Sequence, residues 1–161
     1  MKIILYTDGA SRGNPGPGGY GAVLICEELK MRKELSQGFK LTTNNRMELL
    51  AVIVGLEALK KDGMDVTIYS DSQYVVNSVE KGWIKGWLKK NFAGKKNKDL
   101  WLRFLKVYCK HNVNFIWIKG HADTPENERC DRLAVAAALD KEHLLDDKGF
   151  LDDSNQINFG A

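Results

Sequence analysis

Two observations predict an α/β protein with one five-stranded mixed sheet, an antiparallel meander followed by parallel strands, flanked by helices. Strand-like runs separated by turn chemistry fill the first third of the chain, and single strands then alternate with segments of helical period. Two of those strands, KIILYTD and VTIYSD, end in an acid at the point where a turn or a helix begins. At 161 residues the chain is most simply one domain, long enough to bury a substantial core.

The elements follow in order. KIILYTD leads into GASRGNPGPGGYG, a glycine- and proline-rich turn, and then into GAVLICEE and the alternating stretch LKMRKELSQGFKL. These make three strands joined by hairpin-type connections. Asn45 is placed to cap the next helix, with Glu48 three residues on at the capping-box spacing. That helix, expected from about Arg46 to Lys61, is apolar on nearly every face and therefore buried against the sheet. Gly63 ends it, and the β-branched run VTIYS returns as a buried strand. SQYVVNSVEKG reads as a short helix, and KDLWLRFLKVYCK as a longer one beyond a basic segment. NVNFIWIK is the last strand, GHADTPENE a turn, and Pro125 suits the first position of a final helix, ENERCDRLAVAAALDK. From His143 onward scattered apolar residues and acids predict a loosely ordered tail. The domain reading is therefore residues 1–141 as a catalytic unit and 142–161 as an acidic tail.

Charge is uneven although the net value is only +3. Between Lys81 and Lys110 lie Lys85, Lys89, Lys90, Lys95, Lys96, Lys98, Arg103 and Lys106, against the single acid Asp99. Such a segment suits a polyanionic partner gripped by one region. The bland alternative is a solvated helix face. Cys26, Cys109 and Cys130 are odd in number and lack paired spacing, which suits a reducing, cytoplasmic compartment. No apolar stretch is long enough to span a bilayer and no signal peptide is evident, so no membrane partner is expected.

Asp8, Glu48, Asp71 and Asp131 are the acids that carry chemistry. Each lies at a boundary of an element or on a helix beside one, without an obvious cationic neighbour. If the strands ending in Asp8 and Asp71 are parallel neighbours, their carboxy-terminal ends share one sheet edge, where open α/β sheets place ligands. Carboxylates gathered there repel unless divalent cations neutralise them, and oxygen ligands suit Mg²⁺ or Mn²⁺. The pattern reads as a two-metal phosphodiester site. Taken singly, Glu48 is also explained as a capping-box residue, Asp71 as a helix cap and Asp131 as an exposed charge paired with Arg129 or Arg132. Their joint occurrence is not explained that way. His121, in a glycine turn beside the Asp131 helix, suits proton transfer at neutral pH. Asn14 in the glycine-rich turn suits a polar ligand contact, and the missing G-K-[ST] argues against a nucleotide-phosphate loop. Trp83 and Trp87, four apart and interleaved with Lys85, Lys89 and Lys90, suit a helix whose aromatics pack inward and whose lysines meet phosphates.

TDGASRGNPGPGGYGAVL, TTNNRMEL, SDSQYV and KGHADTPENERCDRLA together resemble, in order and spacing, the segments of bacterial ribonuclease H type 1. The resemblance covers roughly residues 1–140 and implies the ribonuclease H-like fold. It implies a cytoplasmic, monomeric endoribonuclease that hydrolyses the RNA strand of RNA–DNA hybrids, leaving 5′-phosphate and 3′-hydroxyl ends. Two Mg²⁺ ions would be its cofactors, with Mn²⁺ able to substitute. By the same resemblance Asp8, Glu48, Asp71 and Asp131 match metal-binding carboxylates, and His121 a mobile proton-transfer histidine. Asn14, Thr43, Asn44, Asn45, Gln73 and Asn127 match positions near the hybrid. The segment from about 81 to 98 matches a basic protrusion that contacts the DNA strand, and Asn97 matches a residue that holds a DNA phosphate with Thr43. Two departures stand out: the protrusion is several residues shorter, and Leu41 stands where a basic residue is expected, with Lys40 beside it. No additional amino-terminal hybrid-binding domain is expected. The alternatives are a same-fold nuclease or strand-transfer enzyme acting on DNA, and a hybrid-binding module without catalysis.

Overall fold

Alternating burial sets the first strand, β1 (Lys2–Ser11): Ile3, Leu5 and Thr7 point into the protein while Ile4 and Tyr6 are half-covered on the opposite face. The computed structural model describes residues 1–119 and 124–159, with side chains to residue 153. β2 (Gly16–Cys26) and β3 (Met31–Thr42) complete the antiparallel meander, and β4 (Asp65–Ser70) and β5 (Asn112–Trp117) add in parallel on the other side of β1. The order across the sheet is β3-β2-β1-β4-β5. The mixed five-stranded sheet expected from the sequence is the one observed.

Helix α1 (Asn44–Glu57) lies on one face of the sheet with α4 (Lys98–Tyr108) against it. Met47, Leu49, Ile53 and Leu56 of α1 meet Leu5, Leu24 and Ile68 of the sheet and Trp101 and Phe104 of α4. The helix α5 (Pro125–Leu139) packs against β1, β2 and β3. Short helices α2 (Gln73–Glu80) and α3 (Trp83–Lys89) connect β4 to α4. Pro125 occupies the start of α5, where its missing N–H costs nothing.

Two expectations are corrected. α1 ends at Glu57, four residues short of Lys61, because the polar run Lys60, Lys61, Asp62 has no apolar face to bury and Gly63 turns the chain at φ 78°. The tail after His143 is also ordered where it is described, and continues into α6 (Lys148–Phe159). Leu145 adds to the β3 edge, its N–H donating to Gly38 O (3.0 Å) and its carbonyl accepting from Lys40 N (2.8 Å). Asp147 is buried and ion-paired to Arg46, with Nε to Oδ2 at 2.7 Å. A carboxylate with a buried guanidinium as its partner docks the segment, which apolar periodicity alone does not reveal.

Candidate active site

Strand register assembles the first two acids. β1 and β4 run parallel with Tyr6 opposite Tyr69, so Asp8 and Asp71 each stand two residues beyond the same rung. Neighbouring strands lie about 4.8 Å apart, which sets the two carboxylates side by side at the carboxy-terminal edge. Thr7 Oγ1 ties the rung by donating to Tyr69 O at 3.1 Å.

Gly9 brings the third acid. A Cβ there would overlap the backbone nitrogen of Glu48 and stand 2.6 Å from the carbonyl carbon of Met47, so only glycine lets α1 approach the end of β1. Glu48 is thereby seated over the strand end. Ligand oxygens of Asp8, Glu48 and Asp71 all lie within 4.8 Å of one another. Asp131 arrives from the opposite side. Asp8 pairs with Gly21 of β2, and a Cβ at Gly21 would overlap the carbonyl oxygen of Cys130, the residue before Asp131. Asp131 is half-buried and its charge acts on Asp8, although it stands outside the group of three.

The capping explanations fail on geometry. The cap of α1 is Thr43, whose hydroxyl accepts from Arg46 N at 3.3 Å, not Asn45, so Glu48 is not at capping-box spacing. α2 is capped by Ser72, whose hydroxyl accepts from Val75 N at 3.2 Å, not by Asp71. Neither acid is required by the helix it adjoins.

Electrostatics make the cluster costly for the protein alone. Burial, followed by the Asp71 charge, pushes the Asp8 carboxyl from 3.8 to about 7. Burial and then the Asp8 charge push Glu48 well above the usual carboxylate range. Gly9 N–H donates to Asp8 Oδ1 at 2.9 Å, but Glu48 Oε2 is buried without a hydrogen-bond partner among the described residues. An orphaned buried carboxylate oxygen beside two further carboxylates fits a hard divalent cation. Cys130 offers no competing nucleophile, since burial and the Asp8 charge raise its thiol far above neutral pH.

The remaining predicted residues lie at several places around this edge and beyond it. Asn14 Oδ1 accepts from Asn44 N at 3.0 Å, so the glycine-rich turn and the α1 entry form one exposed polar ridge with Asn45. Gln73 is exposed at the start of α2, and Asn127 is buried near the start of α5 with Oδ1 unpartnered among the described residues. On α3 and at its C-cap, Lys85, Lys89 and Lys90 are exposed, as is Trp83, while Trp87 packs edge-on to Trp101 at 6.0 Å. Only Trp87 therefore behaves as an inward aromatic, and Ile84 fills the buried position expected for Trp83. Asn97 faces inward: Nδ2 donates to Tyr74 Oη (3.1 Å) and Oδ1 accepts from Arg46 Nη1 (3.3 Å). Lys40 is exposed with Nζ 3.8 Å from Asp146, and Leu41 is exposed beside it. His121 lies outside the described residues.

Sequence reasoning passed over Arg46 and Asp147. Both lie inside polar stretches, and their pairing across 101 residues leaves no local signal.

The chain matches the family model described as RNase H over residues 1–139. A ribonuclease H from Desulforamulus reducens is 58% identical over 150 residues, spanning 90% of this chain and 92% of that protein. One from Trichodesmium erythraeum is 51% identical over 154 residues, spanning 92% and 96%. Among solved structures, LC9-RNase H1, a type 1 RNase H with the type 2 active-site motif, superposes with TM-score 0.75 at 30% identity, over 85% of this chain and 72% of that one. LC11-RNase H1 in complex with RNA/DNA hybrid gives TM-score 0.59 at 27% identity, over 84% and 96%.

Proposed function

The chain belongs to the ribonuclease H family, and from that membership we propose how its own residues cut the RNA strand of an RNA–DNA hybrid. It is a ribonuclease H, a hydrolase and endonuclease. The observation that carries the reading of the site is the meeting of Asp8, Glu48 and Asp71 within 4.8 Å at the sheet edge. These three, with Asp131 beside them, would hold Mg²⁺, or Mn²⁺ in its place. Two such ions, when bound, supply activation of the attacking water and charge stabilisation at the leaving 3′ oxygen.

The chain's own groups do the rest. The Gly9 amide holds one oxygen of Asp8 by its hydrogen bond and so aims the other into the cluster. Asn14, Thr43, Asn44 and Asn45 form a polar ridge beside Glu48, and Gln73 stands at the start of the helix after Asp71. These groups bind sugar and phosphate. Strand choice comes from the 2′-hydroxyl, the group that separates RNA from DNA at a given position. Thr43 Oγ1 already accepts from Arg46 N, so its hydrogen remains to donate to a phosphate. Asn127 adds a polar contact from the α5 side. His121 moves a proton at the leaving group. The basic protrusion from about 81 to 98 presents Trp83, Lys85, Lys89 and Lys90 to the DNA strand, giving affinity without base preference. The enzyme acts as a monomer in the cytoplasm; no helix among the described residues is long and apolar enough to cross a membrane.

The test compares labelled RNA–DNA hybrid, double-stranded RNA, double-stranded DNA and single strands, with and without Mg²⁺. Cleavage of the hybrid's RNA strand to 5′-phosphate and 3′-hydroxyl ends, dependent on the cation, is expected. Equal cutting of double-stranded DNA would point to a DNA-directed enzyme of the same fold.

A further inference from the structure

Arg46 is one of the largest fully buried side chains, and every donor on its guanidinium is used inside the protein. Nε donates to Asp147 Oδ2 (2.7 Å), and Nη2 donates to Asp147 Oδ1 (2.9 Å) and Asp99 Oδ2 (2.7 Å). Nη1 donates to Asp99 Oδ1 (2.8 Å) and Asn97 Oδ1 (3.3 Å). An arginine has five N–H groups, and these five bonds consume them. Arg46 therefore has nothing left to offer a phosphate. Its work is internal.

What it holds is the corner where β3 becomes α1. Asp147 also accepts from Thr42 Oγ1 at 2.6 Å, so one carboxylate binds the last residue of β3 and the first turn of α1. The same carboxylate accepts from Phe150 N at 3.3 Å and so starts α6. Residues 145–149 form a strap across this corner. Leu145 hydrogen-bonds the β3 edge before Asp147, and a Cβ at Gly149 after it would overlap Asp99 Oδ2 and lie 2.6 Å from Arg46 Nη2. The strap backbone thus closes directly over the ion pair. Beyond the corner the exposed groups are Asn44 and Asn45, with Thr43 half-exposed. Glu48 is seated separately, against Gly9 of β1.

We propose that Asp147 is a positioning residue for substrate binding, fixing through Arg46 the corner that presents Thr43, Asn44 and Asn45 to the duplex. This rests on the reading above that the corner meets the hybrid. Because Glu48 is anchored elsewhere, loosening the strap moves binding groups and leaves the acidic cluster in place. The consequence is a change in KM with kcat retained. A strap that only added stability would instead lower the amount of folded enzyme and leave KM alone.

The experiment measures KM and kcat per folded molecule for the full chain and three variants, at a temperature where circular dichroism shows each folded. Asp147→Ala should raise KM for the hybrid about tenfold, the loss of roughly one charge-assisted hydrogen bond to substrate, with kcat within about twofold. Asp147→Asn, which retains one acceptor oxygen, should fall between that variant and the parent. Gly149→Ala keeps every charge but sets a methyl against Asp99 Oδ2 and Arg46 Nη2, displacing those side-chain ends and disturbing the ion pair that holds the corner, and should raise KM likewise. It decides the matter if Asp147→Ala does not fold. Unchanged KM in both Asp147→Ala and Gly149→Ala, or in Gly149→Ala alone when the other is unfolded, overturns the proposal. Failure of the parent to cut the hybrid would instead overturn the functional reading.

Discussion

Asp8→Asn should stabilise the metal-free protein at neutral pH, and the gain should vanish in acid. Burial and the Asp71 charge raise the folded-state Asp8 carboxyl from 3.8 to about 7. Below 3.8 the group is neutral in both folded and unfolded chains and costs nothing. Between that value and about 7 the unfolded chain releases the proton while the folded chain keeps it, so stability falls as pH rises. Above about 7 the full penalty is present. A gap of about three pH units at about 1.4 kcal/mol each gives about 4 kcal/mol as the upper limit. An asparagine keeps an oxygen to accept the Gly9 N–H bond, so little is lost in exchange. The comparison is urea unfolding in chelator, for parent and variant, at about pH 4 and about pH 8. The variant should be more stable by about 2–4 kcal/mol at the higher pH and equal at the lower. Saturating Mg²⁺ should then stabilise the parent and not the variant. A variant less stable than the parent at pH 8, or an offset independent of pH, would refute the repulsive-cluster argument.

Asp71→Asn should abolish turnover while circular dichroism reports an unchanged fold; retained Mg²⁺-dependent cutting would remove Asp71 from the site. His121→Ala should lower kcat by about 10²–10⁴ with hybrid affinity little changed. An unaltered pH profile of kcat would remove His121 from proton transfer. Neutralising Lys85, Lys89, Lys90, Lys95 and Lys96 together should raise KM far more than it lowers kcat. The log–log salt slope of hybrid binding should fall by roughly one per lost phosphate contact. Equal slopes for parent and variant would mean these lysines only keep the segment soluble.

The sheet and its helices were legible because apolar period and turn chemistry are local. Ile3, Leu5 and Thr7 alternate with Ile4 and Tyr6, and Pro125 sits where a helix should start. The acids at Asp8 and Asp71 were legible as strand ends, and parallel register then made them neighbours. Helix caps were less legible: Thr43, Asn44 and Asn45 are all competent cap types, and only backbone geometry selects Thr43 at φ −122°, ψ 160°. The docked tail was illegible for a different reason. Its anchor is Asp147 on Arg46, a polar contact between distant segments that no periodicity encodes. Trp83 and Ile84 illustrate a third limit. A short helix after a left-handed Gly82 has its rotational phase set by the turn, so aromatic spacing alone does not say which side chain is buried.

The placement of Arg46 also separates the proposed catalytic cluster from a structural one. Arg46 and Glu48 are two residues apart on α1, about 200° around a helix that turns 100° per residue. A fold arranged for stability alone would give each buried acid a fixed partner. Instead Arg46 faces Asp99 and Asp147, where its charge holds those two acids, and Glu48 faces Asp8 with an oxygen left unpartnered among the described residues. Asp147 is buried as Asp8 and Glu48 are, yet Asp147 receives a permanent guanidinium while Glu48 keeps an oxygen unpartnered among the described residues. Burial therefore does not by itself explain the unpartnered oxygen of Glu48. An exchangeable cation does, because a resident arginine would fill the space that metal, water and scissile phosphate must share. The arrangement costs at most about 4 kcal/mol at Asp8 by the pH argument above, which is a large share of the roughly 5–15 kcal/mol that holds a domain folded. A chain retains such a cost where it serves the reaction.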